Sequence, residues 1–333
     1  MTQPRKVSIA LATYNGERFL PEQLASFLAQ TRLPDELVVG DDNSRDGTVA
    51  LIEEFAARAP FPVRITVNNP GLGPADNFAT AILRCSGDVI FLSDQDDIWY
   101  ADKVEKMLAF LAADPRRLIA VHDAALVDGA ARPLGLTMGQ QIAASGAPPE
   151  TGLVAGCCMA IDGRLARFYD PLPATTTHDA WLTAIADLLD VRGYLPEPLI
   201  DYRRHGSNVS QSYMSGEQRA SHWRRFRDRM DKALGEPAGK ALESAVAGRQ
   251  SAIAALAAHR AVFTAIVPDA RIDAAIATLR SAQVRDQRRL AIHRANRRAR
   301  PARIVRCIAS GDYRGGNGML SLIRDVVDAA RHR

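Results

Sequence analysis

The chain has 333 residues, of which 47% are hydrophobic and 24% charged, a balance typical of a globular protein with a sizeable core. No apolar run approaches the roughly 18 to 20 residues that span a bilayer. The run at residues 7–12 is too short for a signal-peptide core, so we expect a cytoplasmic protein, with peripheral contact at the inner face of the cytoplasmic membrane left open. The net charge is +4, but residues 1–214 hold 18 Lys and Arg and 27 Asp and Glu, whereas residues 215–333 hold 24 and 11.

This charge asymmetry predicts two domains with different partners, residues 1–214 and residues 215–333. The acidic first part can hold cations. The basic second part suits phosphates, an acidic polymer or an anionic membrane surface.

The first hundred residues alternate between strand and helix patterns. Strands are predicted at 7–12, 35–42, 63–69 and 88–94, and helices at 19–30, 46–59 and 77–86. Such alternation with short connections is typical of a parallel sheet between helix layers.

The pattern is more varied after residue 100. A helix from residue 103 leads into a strand at 118–122, and the Gly-, Ala- and Pro-rich residues 129–150 predict a flexible segment. A strand with a glycine-containing bend is predicted at 151–162, a helix at 178–190 and a strand at 199–210. Beyond residue 214 the periodicity is helical and rich in Ala and Arg.

Three predicted strands end in polar clusters, which are Thr13-Tyr14-Asn15, Asp41-Asp42-Asn43-Ser44 and Asp94-Gln95-Asp96-Asp97. Because ligands bind outside the carboxyl ends of parallel strands, we expect these clusters to converge on one site. In the last cluster, two carboxylates separated by one residue can face a hard cation, with the intervening side chain turned away. A solvated acidic turn explains this motif equally well when it is taken alone.

In this context the sequence resembles the family 2 inverting glycosyltransferases of the GT-A fold. The resemblance covers residues 5–210 and rests on the order and spacing of VSIALATYNGERFLPEQLASFLAQT, DELVVGDDNSRDGT, GDVIFLSDQDDIWYADKV, GCCMAID and HDAW. The pair SDQDDIW and YRRHGSNVS is most similar to the bacterial rhamnosyltransferase-type branch, which builds surface polysaccharides.

The resemblance implies an α/β fold, a GT-A (Rossmann-like) mostly parallel central sheet flanked by helices, followed by a helical C-terminal region. It implies transfer of a sugar, a deoxyhexose such as L-rhamnose, from a dTDP- or UDP-sugar to a saccharide or lipid-linked acceptor. The implied cofactor is Mn²⁺ or Mg²⁺. No nucleic-acid partner is expected.

The resemblance also assigns roles to individual residues. The nucleotide would contact Thr13, Tyr14, Glu17, Asp41, Asp42 and Asp94. The metal would be held by Asp94, Asp96 and His205, with Asp97 behind them. Asp179 corresponds to the catalytic base. The acceptor pocket would include Gly156, Cys157 and Trp181.

Each of these residues has a plainer alternative. Asp179 lies where an acid stabilises a helix start. His205 could be an ordinary loop histidine, and Gly156 and Cys157 could simply pack within a strand. Trp99 and Trp181 suit the core as well as a sugar, and Arg203 and Arg204 suit phosphate binding or surface charge equally. The four cysteines, Cys85, Cys157, Cys158 and Cys307, have neither zinc nor disulfide spacing and are expected to be buried thiols.

The sequence departs from the family pattern in two places. His178 stands where many relatives carry an acid before the base, and NNPGLGPADN lacks the basic residue that often contacts the donor. A sugar-phosphate nucleotidyltransferase is the first rival, but TYNGERF lacks the Gly- and Lys-rich loop that it needs. A non-catalytic carbohydrate- or nucleotide-binding protein is the second, although Asp94, Asp96 and Asp179 are all present.

The basic C-terminal region lies outside the resemblance. Its arginine-dense segments at 221–230 and 288–300 are compatible with helices. Three hypotheses compete: a solvated helical face, an amphipathic anchor on an anionic membrane, and a surface for other acidic partners.

Overall fold

The computed structural model describes residues 5–170, 172–174, 176–206, 238–314 and 318–331. The predicted domain boundary at residue 214 and the arginine-dense segment 221–230 lie outside these residues. The chain divides into two compact units, one of Met1–Ser210 with Ala261–Pro268 and one of Gln211–Arg260 with Asp269–Arg333. Among the described residues, no helix combines the length and the apolar character needed to cross a membrane.

The described part of the first unit is organised around one sheet of nine strands. The strands are β1 (Val7–Thr13), β2 (Glu36–Asp41), β3 (Val63–Val67), β4 (Val89–Ser93), β5 (Ile98–Trp99), β6 (Ile119–Asp128), β7 (Pro133–Thr137), β8 (Met159–Asp162) and β9 (Arg192–Arg204). The helices are α1 (Leu20–Leu28), α2 (Thr48–Ala56), α3 (Pro74–Arg84), α4 (Lys103–Ala112), α5 (Met138–Ala144), α6 (Pro149–Gly152) and α7 (His178–Leu189).

The strand order is β3-β2-β1-β4-β8-β6-β9-β5, with β7 paired to β6. β3, β2, β1 and β4 are mutually parallel, and β6 is parallel to β9, whereas β8 runs antiparallel to both of its neighbours. β2 and β4 are buried along their whole length, which explains their continuous apolar runs. The predicted mostly parallel sheet, flanked by helices and followed by a helical C-terminal region, is confirmed.

Several element boundaries differ from the sequence predictions. The segment 129–150, predicted to be flexible, contains β7, α5 and the start of α6. α5 begins with a capping box, in which Thr137 Oγ1 accepts a hydrogen bond from Gln140 N and Gln140 Oε1 accepts one from Thr137 N. The strand predicted at 151–162 begins only at Met159, after a 3-10 turn at Gly156–Cys158, and the strand predicted at 199–210 begins earlier, at Arg192.

The described part of the second unit is helical, with helices at Ala238–Ala258, Asp269–His293, Arg300–Ala309 and Gly318–Arg331. Its interior contains a buried carboxylate, Asp325, which accepts hydrogen bonds from Arg289 Nε at 2.7 Å and from Tyr313 Oη at 2.8 Å. The prediction of free thiols is confirmed for all four cysteines, three of which are buried, while Cys85 is partly exposed.

Candidate active site

The carboxyl ends of β1 and β2 are joined by a buried aspartate. Asp41 Oδ2 accepts hydrogen bonds from Thr13 Oγ1 at 2.7 Å and from Ser44 Oγ at 2.6 Å, and its Oδ1 accepts one from Ser44 N at 2.8 Å. The residue has no exposed surface. Asp41 and Thr13 therefore fix the edge of the sheet, and the neighbouring residues face outward from it.

Asp42, the next residue, shapes the loop that precedes α3. Its carboxylate accepts hydrogen bonds from Leu72 N at 2.6 Å and from Gly73 N at 2.8 Å. Asp42 stays partly exposed, and a carboxylate has about four lone-pair positions, so it can accept a further donor from a ligand. Tyr14, which follows the neighbouring strand β1, is 57% exposed, and the exposed Glu17 accepts a hydrogen bond from Gly47 N at 2.9 Å.

Gln95 joins the end of β1 to the Asp94-Gln95-Asp96 motif. Its side-chain amide accepts a hydrogen bond from Tyr14 N at 2.8 Å and donates one to Tyr14 O at 3.0 Å. The intervening side chain is thus turned to the neighbouring strand end. This contact could not be predicted from the sequence, because the two residues are 81 positions apart and nothing in the pattern pairs them.

Asp94 and Asp97 belong to a largely buried polar cluster. Ligand atoms of Asp94, Asp97 and Cys157 are all within 4.8 Å of one another. Lys103, fully buried, donates to Cys157 O at 2.8 Å and lies 3.7 Å from the centre of the Trp99 ring. Burial lowers the pKa of Lys103 to about 8. Burial and the charges of Asp96 and Asp94 raise the pKa of Asp97 well above its usual value.

Asp96 forms a hydrogen bond with His205, the residue that directly follows strand β9. Asp96 Oδ2 lies 2.7 Å from His205 Nε2, and the imidazole stacks on the Phe19 ring with the ring centres 4.5 Å apart. Arg203, 3% exposed, donates from Nε to Asp96 O at 2.9 Å and from its backbone N to Asp97 Oδ1 at 3.2 Å. The guanidinium also reaches Gly129 O and Glu22. Arg203 therefore binds protein groups on several sides.

Asp179 lies in the first turn of α7, close enough to the metal-motif acids to share their electrostatic field. Burial and the charges of Asp96 and Asp179 raise the pKa of Asp94 to about 7. Asp179 Oδ1 accepts hydrogen bonds from Thr177 Oγ1 and Ala180 N, at 2.5 and 2.8 Å. Thr177, not Asp179, occupies the position that precedes the helix.

His178 connects α7 to α3 and to the glycine of the 3-10 turn. Its imidazole stacks on Phe78 with ring centres 4.0 Å apart and an interplanar angle of 20°. A Cβ placed on Gly156 would lie 2.5 Å from His178 Nε2. The ring therefore fills the space that any larger residue at position 156 would need.

The structure places two of the predicted acceptor-pocket residues in the interior. Trp181 is 5% exposed and donates from Nε1 to Phe168 O at 2.8 Å, and Cys157 is 1% exposed. Both therefore adopt the packing position that the sequence left open as an alternative. Gly156, although also buried, faces the ring of His178, the first residue of α7.

Comparison with known proteins places this site in a family. The model of "Glycosyl transferase family 2" matches residues 8–160, which include β1 to β4, the Asp94-Gln95-Asp96 motif and Cys157. Residues 8–160 carry a family 2 glycosyltransferase domain. The resemblance to this family that the sequence motifs indicated is thereby confirmed.

Individual relatives agree with this assignment. The chain is 39% identical over 103 residues to the dTDP-rhamnosyl transferase RfbG of Shigella flexneri. The aligned segment covers 29% of this chain and 35% of that protein. An uncharacterized protein of Mycobacterium tuberculosis is 28% identical over 225 residues, 62% of this chain and 61% of its own length. The chain thus spans less than two thirds of the curated relatives that it matches.

The fold extends beyond the matched segment. The crystal structure of S. aureus TarS 1–349 in complex with UDP-GlcNAc superposes with a TM-score of 0.57 and 14% identity, covering 97% of this chain and 89% of that one. The likeness supports a GT-A fold for the glycosyltransferase domain.

The acidic cluster of the glycosyltransferase domain predicts a pH-dependent response to metal. We expect Mn²⁺ to raise the melting temperature more at about pH 8 than at about pH 6, because Asp94, with a pKa of about 7, must lose its proton before it can bind a cation. Thermal denaturation with and without Mn²⁺ at both pH values measures the difference. Equal shifts at the two pH values would contradict the expectation, and Asp94→Asn should abolish the pH dependence.

The same carboxyl predicts an opposite trend in metal-free protein. The folded Asp94 keeps its proton up to about pH 7, whereas the unfolded chain releases it near 3.8. The folded state binds more protons between these values, so the contribution of Asp94 to stability falls as the pH rises through this interval.

Gly156→Ala in the glycosyltransferase domain is expected to lower the free energy of unfolding by about 1–3 kcal/mol, because the new methyl group would overlap the His178 ring, which Phe78 holds in place. Urea denaturation measures the change. Gly206→Ala is the control, since a Cβ there meets no atom within 4 Å. In a His178→Ala background the overlap disappears, so an undiminished cost there would show that the ring is not its cause.

Proposed function

We propose that the protein transfers a sugar from a nucleotide diphosphate donor to a hydroxyl acceptor in a single, metal-dependent, inverting step. One observation carries the proposal: the start of α7, which holds Asp179, packs through His178 against Gly156, next to Cys157, whose thiol lies within 4.8 Å of ligand atoms of Asp94 and Asp97. The charges of Asp96 and Asp179 both act on the Asp94 carboxyl and raise its pKa. This proximity supports a shared location for a cation site and a general base.

The donor nucleotide would lie at the ends of β1 and β2. Tyr14 offers an exposed ring, Asp42 offers a carboxylate that can accept an N–H of the base, and Glu17, three residues after Tyr14, is exposed as well. Thr13 and Asp41 would position this surface without contacting the nucleotide, since Asp41 is buried and its oxygens already accept hydrogen bonds from protein donors. We therefore assign base recognition to Asp42 and a positioning role to Asp41.

The residues present fit a hard divalent cation. Asp94 and Asp96 offer carboxylate oxygens and His205 an imidazole nitrogen 2.7 Å from Asp96 Oδ2, a set suited to Mn²⁺ or Mg²⁺. Hydrogen bonding to Cys158 and burial hold the pKa of the Cys157 thiol well above its usual value, which favours the protonated form in the metal-free protein. When bound, the cation neutralises charge that develops on the diphosphate leaving group.

The chemistry of the transfer follows from the position of Asp179. Its carboxylate would take the proton of the acceptor hydroxyl while the hydroxyl oxygen attacks the anomeric carbon on the face opposite the diphosphate. The new glycosidic bond forms as the bond to the diphosphate breaks, with inversion at that carbon. His178, stacked on Phe78 and against Gly156, holds the first turn of α7 in place for this step.

The donor that we propose is a nucleotide-activated deoxyhexose, dTDP-L-rhamnose in particular, and the setting is assembly of surface polysaccharide on a saccharide or lipid-linked acceptor. The identity to a dTDP-rhamnosyl transferase over 103 residues supports this choice. A second relative, the UDP-Glc:alpha-D-GlcNAc-diphosphoundecaprenol beta-1,3-glucosyltransferase WfgD of Escherichia coli, is 34% identical over 105 residues, 32% of this chain and 40% of that protein, and supports a lipid-linked acceptor.

Release of nucleoside diphosphate from a panel of nucleotide sugars tests the proposal. With Mn²⁺ we expect turnover of one donor, loss of turnover with a chelator, and a fall of about 100-fold for Asp96→Ala, because the variant removes a predicted cation ligand. Asp102→Ala is the control, since Asp102 is partly exposed and pairs with Lys106 at the surface. Full turnover by Asp96→Ala would refute the metal assignment, and absence of turnover with every donor would refute the transferase proposal.

A further inference from the structure

One helix of the second unit presents an unusual surface to solvent. The helix Arg300–Ala309, with the turn that precedes it, belongs to a segment of sixteen residues, 294–309, that contains six arginines and no acid. We call this helix the arginine helix. Its buried side consists of Cys307, 3% exposed, with the partly exposed Ile304 one turn before it.

An apolar, exposed stripe of the arginine helix adjoins its buried side. Val305 is 64% exposed and Ile308 50% exposed, although both are aliphatic. Pro301, Val305 and Ile308 are spaced at i, i+4 and i+7 and are therefore neighbours on one face. The exposed Ala302 and Ala309 extend this stripe.

Basic side chains adjoin this apolar stripe on one side, where Arg306 neighbours Ala302 and Ala309, and continue on the next face with Arg303. Arg297, Arg298, Arg303 and Arg306 are all exposed, and none of them forms an ion pair with an acid in the described part of the chain. In the described part of this unit, Glu243 pairs with Arg294, Asp312 with Arg288 and Asp325 with Arg289. Among the described residues, the four exposed arginines thus carry positive charge that no acid pairs with.

We propose that the exposed face of the arginine helix binds the surface of an anionic lipid bilayer. Aliphatic side chains bordered by arginines match the boundary between acyl chains and negatively charged headgroups, where the apolar groups are buried and the guanidinium groups meet phosphate. The charge argues against a second copy of this chain as the occupant, because two such faces would repel each other. The absence of aromatic residues between 294 and 309 argues against a single-stranded nucleic acid, which stacks its bases on aromatic rings.

Vesicle co-sedimentation of the full chain tests this proposal without any donor or acceptor. We expect binding to phosphatidylcholine vesicles that contain about 30% phosphatidylglycerol, weak binding to pure phosphatidylcholine, and loss of binding as salt rises from about 50 to about 500 mM. Arg303→Gln with Arg306→Gln should weaken binding about 25-fold, at about fivefold for each arginine. Val305→Ser with Ile308→Ser should weaken binding at unchanged charge.

Matched controls separate the arginine helix from general basicity. Arg280→Gln with Arg285→Gln removes the same charge from exposed positions of the helix Asp269–His293, and Val284→Ser removes an exposed aliphatic residue there. These controls should bind vesicles like the parent chain, and circular dichroism should show equal helix content in every variant. Equal losses in the two arginine pairs, or none in either, would overturn the proposal.

Two further outcomes would also overturn it. One is a helix-dependent dimer in light scattering that Val305→Ser with Ile308→Ser dissociates while vesicle binding is unchanged. The other is tight binding of a polyuridine probe that the arginine pair abolishes while vesicle binding is unchanged. Vesicle binding lost in the arginine-helix variants alone would support the proposal, whether or not sugar transfer is detected.

Discussion

Asp179→Asn is expected to lower kcat by about 10³-fold while donor binding changes little. The side-chain amide keeps the shape of the carboxylate, and its oxygen can still accept the hydrogen bonds that Thr177 and Ala180 donate. The amide cannot take a proton, so the acceptor hydroxyl would have to attack without a base. Steady-state kinetics with the donor identified by product release measure the loss.

Two comparisons make this result specific to the proposed base. Asp187→Asn alters an acid near the other end of α7, where it pairs with Arg192 at 2.8 Å, and should change kcat by less than about threefold. The melting-temperature shift caused by nucleoside diphosphate should persist in Asp179→Asn. A variant that kept kcat within tenfold of the parent would remove Asp179 from the mechanism.

Arg203→Met is expected to lower the free energy of unfolding by about 3 kcal/mol, although the new side chain fills much of the same space. The change leaves Asp96 O and Gly129 O without this donor and leaves Glu22 without its ionic partner. It also removes the guanidinium from the face of Phe19, whose ring centre lies 4.9 Å away. Urea denaturation of the purified chain measures the loss.

Arg203→Lys should give an intermediate loss, because the ammonium keeps the charge without the fork that reaches several acceptors. Arg58→Met is the exposed control, since Arg58 pairs with Glu54 at 3.6 Å and both side chains are 67% exposed, so the change should stay within about 0.5 kcal/mol. If the two methionine variants were equally stable, the contacts of Arg203 would not stabilise the fold. Arg203→Met should also weaken the response to Mn²⁺, because it loosens the peptide that carries Asp96.

The N-terminal strands of the sheet could be predicted because their signals in the sequence are local. β1, β2 and β4 are buried on both faces and appear in the sequence as short continuous apolar runs followed by polar residues. Parallel strands that share an edge must bring their ends together, so the contact of Thr13 with Asp41 follows from the pattern.

The region from 129 to 158 could not be predicted as well, because it lacks a buried face of regular period. β7 is exposed for most of its length and pairs with β6 alone, so its sequence, PLGLT, carries no alternation of polar and apolar residues. A local signal was present in the capping box of Thr137 and Gln140, which marks the start of α5.

The contacts that hold the candidate-site residues in place could not be predicted from the sequence, for a different reason. The contacts of Gln95 with Tyr14, of Lys103 with Cys157 and of Arg203 with Asp96 join residues 54 to 107 positions apart. Composition and spacing identify which residues carry charge, but only the folded chain decides whether an arginine faces solvent or, like Arg203, is buried.

The Gln95 amide does at the rim of the sheet what a peptide group does within it. By offering one donor and one acceptor to the same residue, Tyr14, it extends the ladder between β1 and β4 by a further rung after the backbones have separated. The middle position of the acidic motif is consequently constrained in length and in polarity. Glutamate would lack the donor, and asparagine would be one methylene too short, so chains of this shape should retain glutamine there.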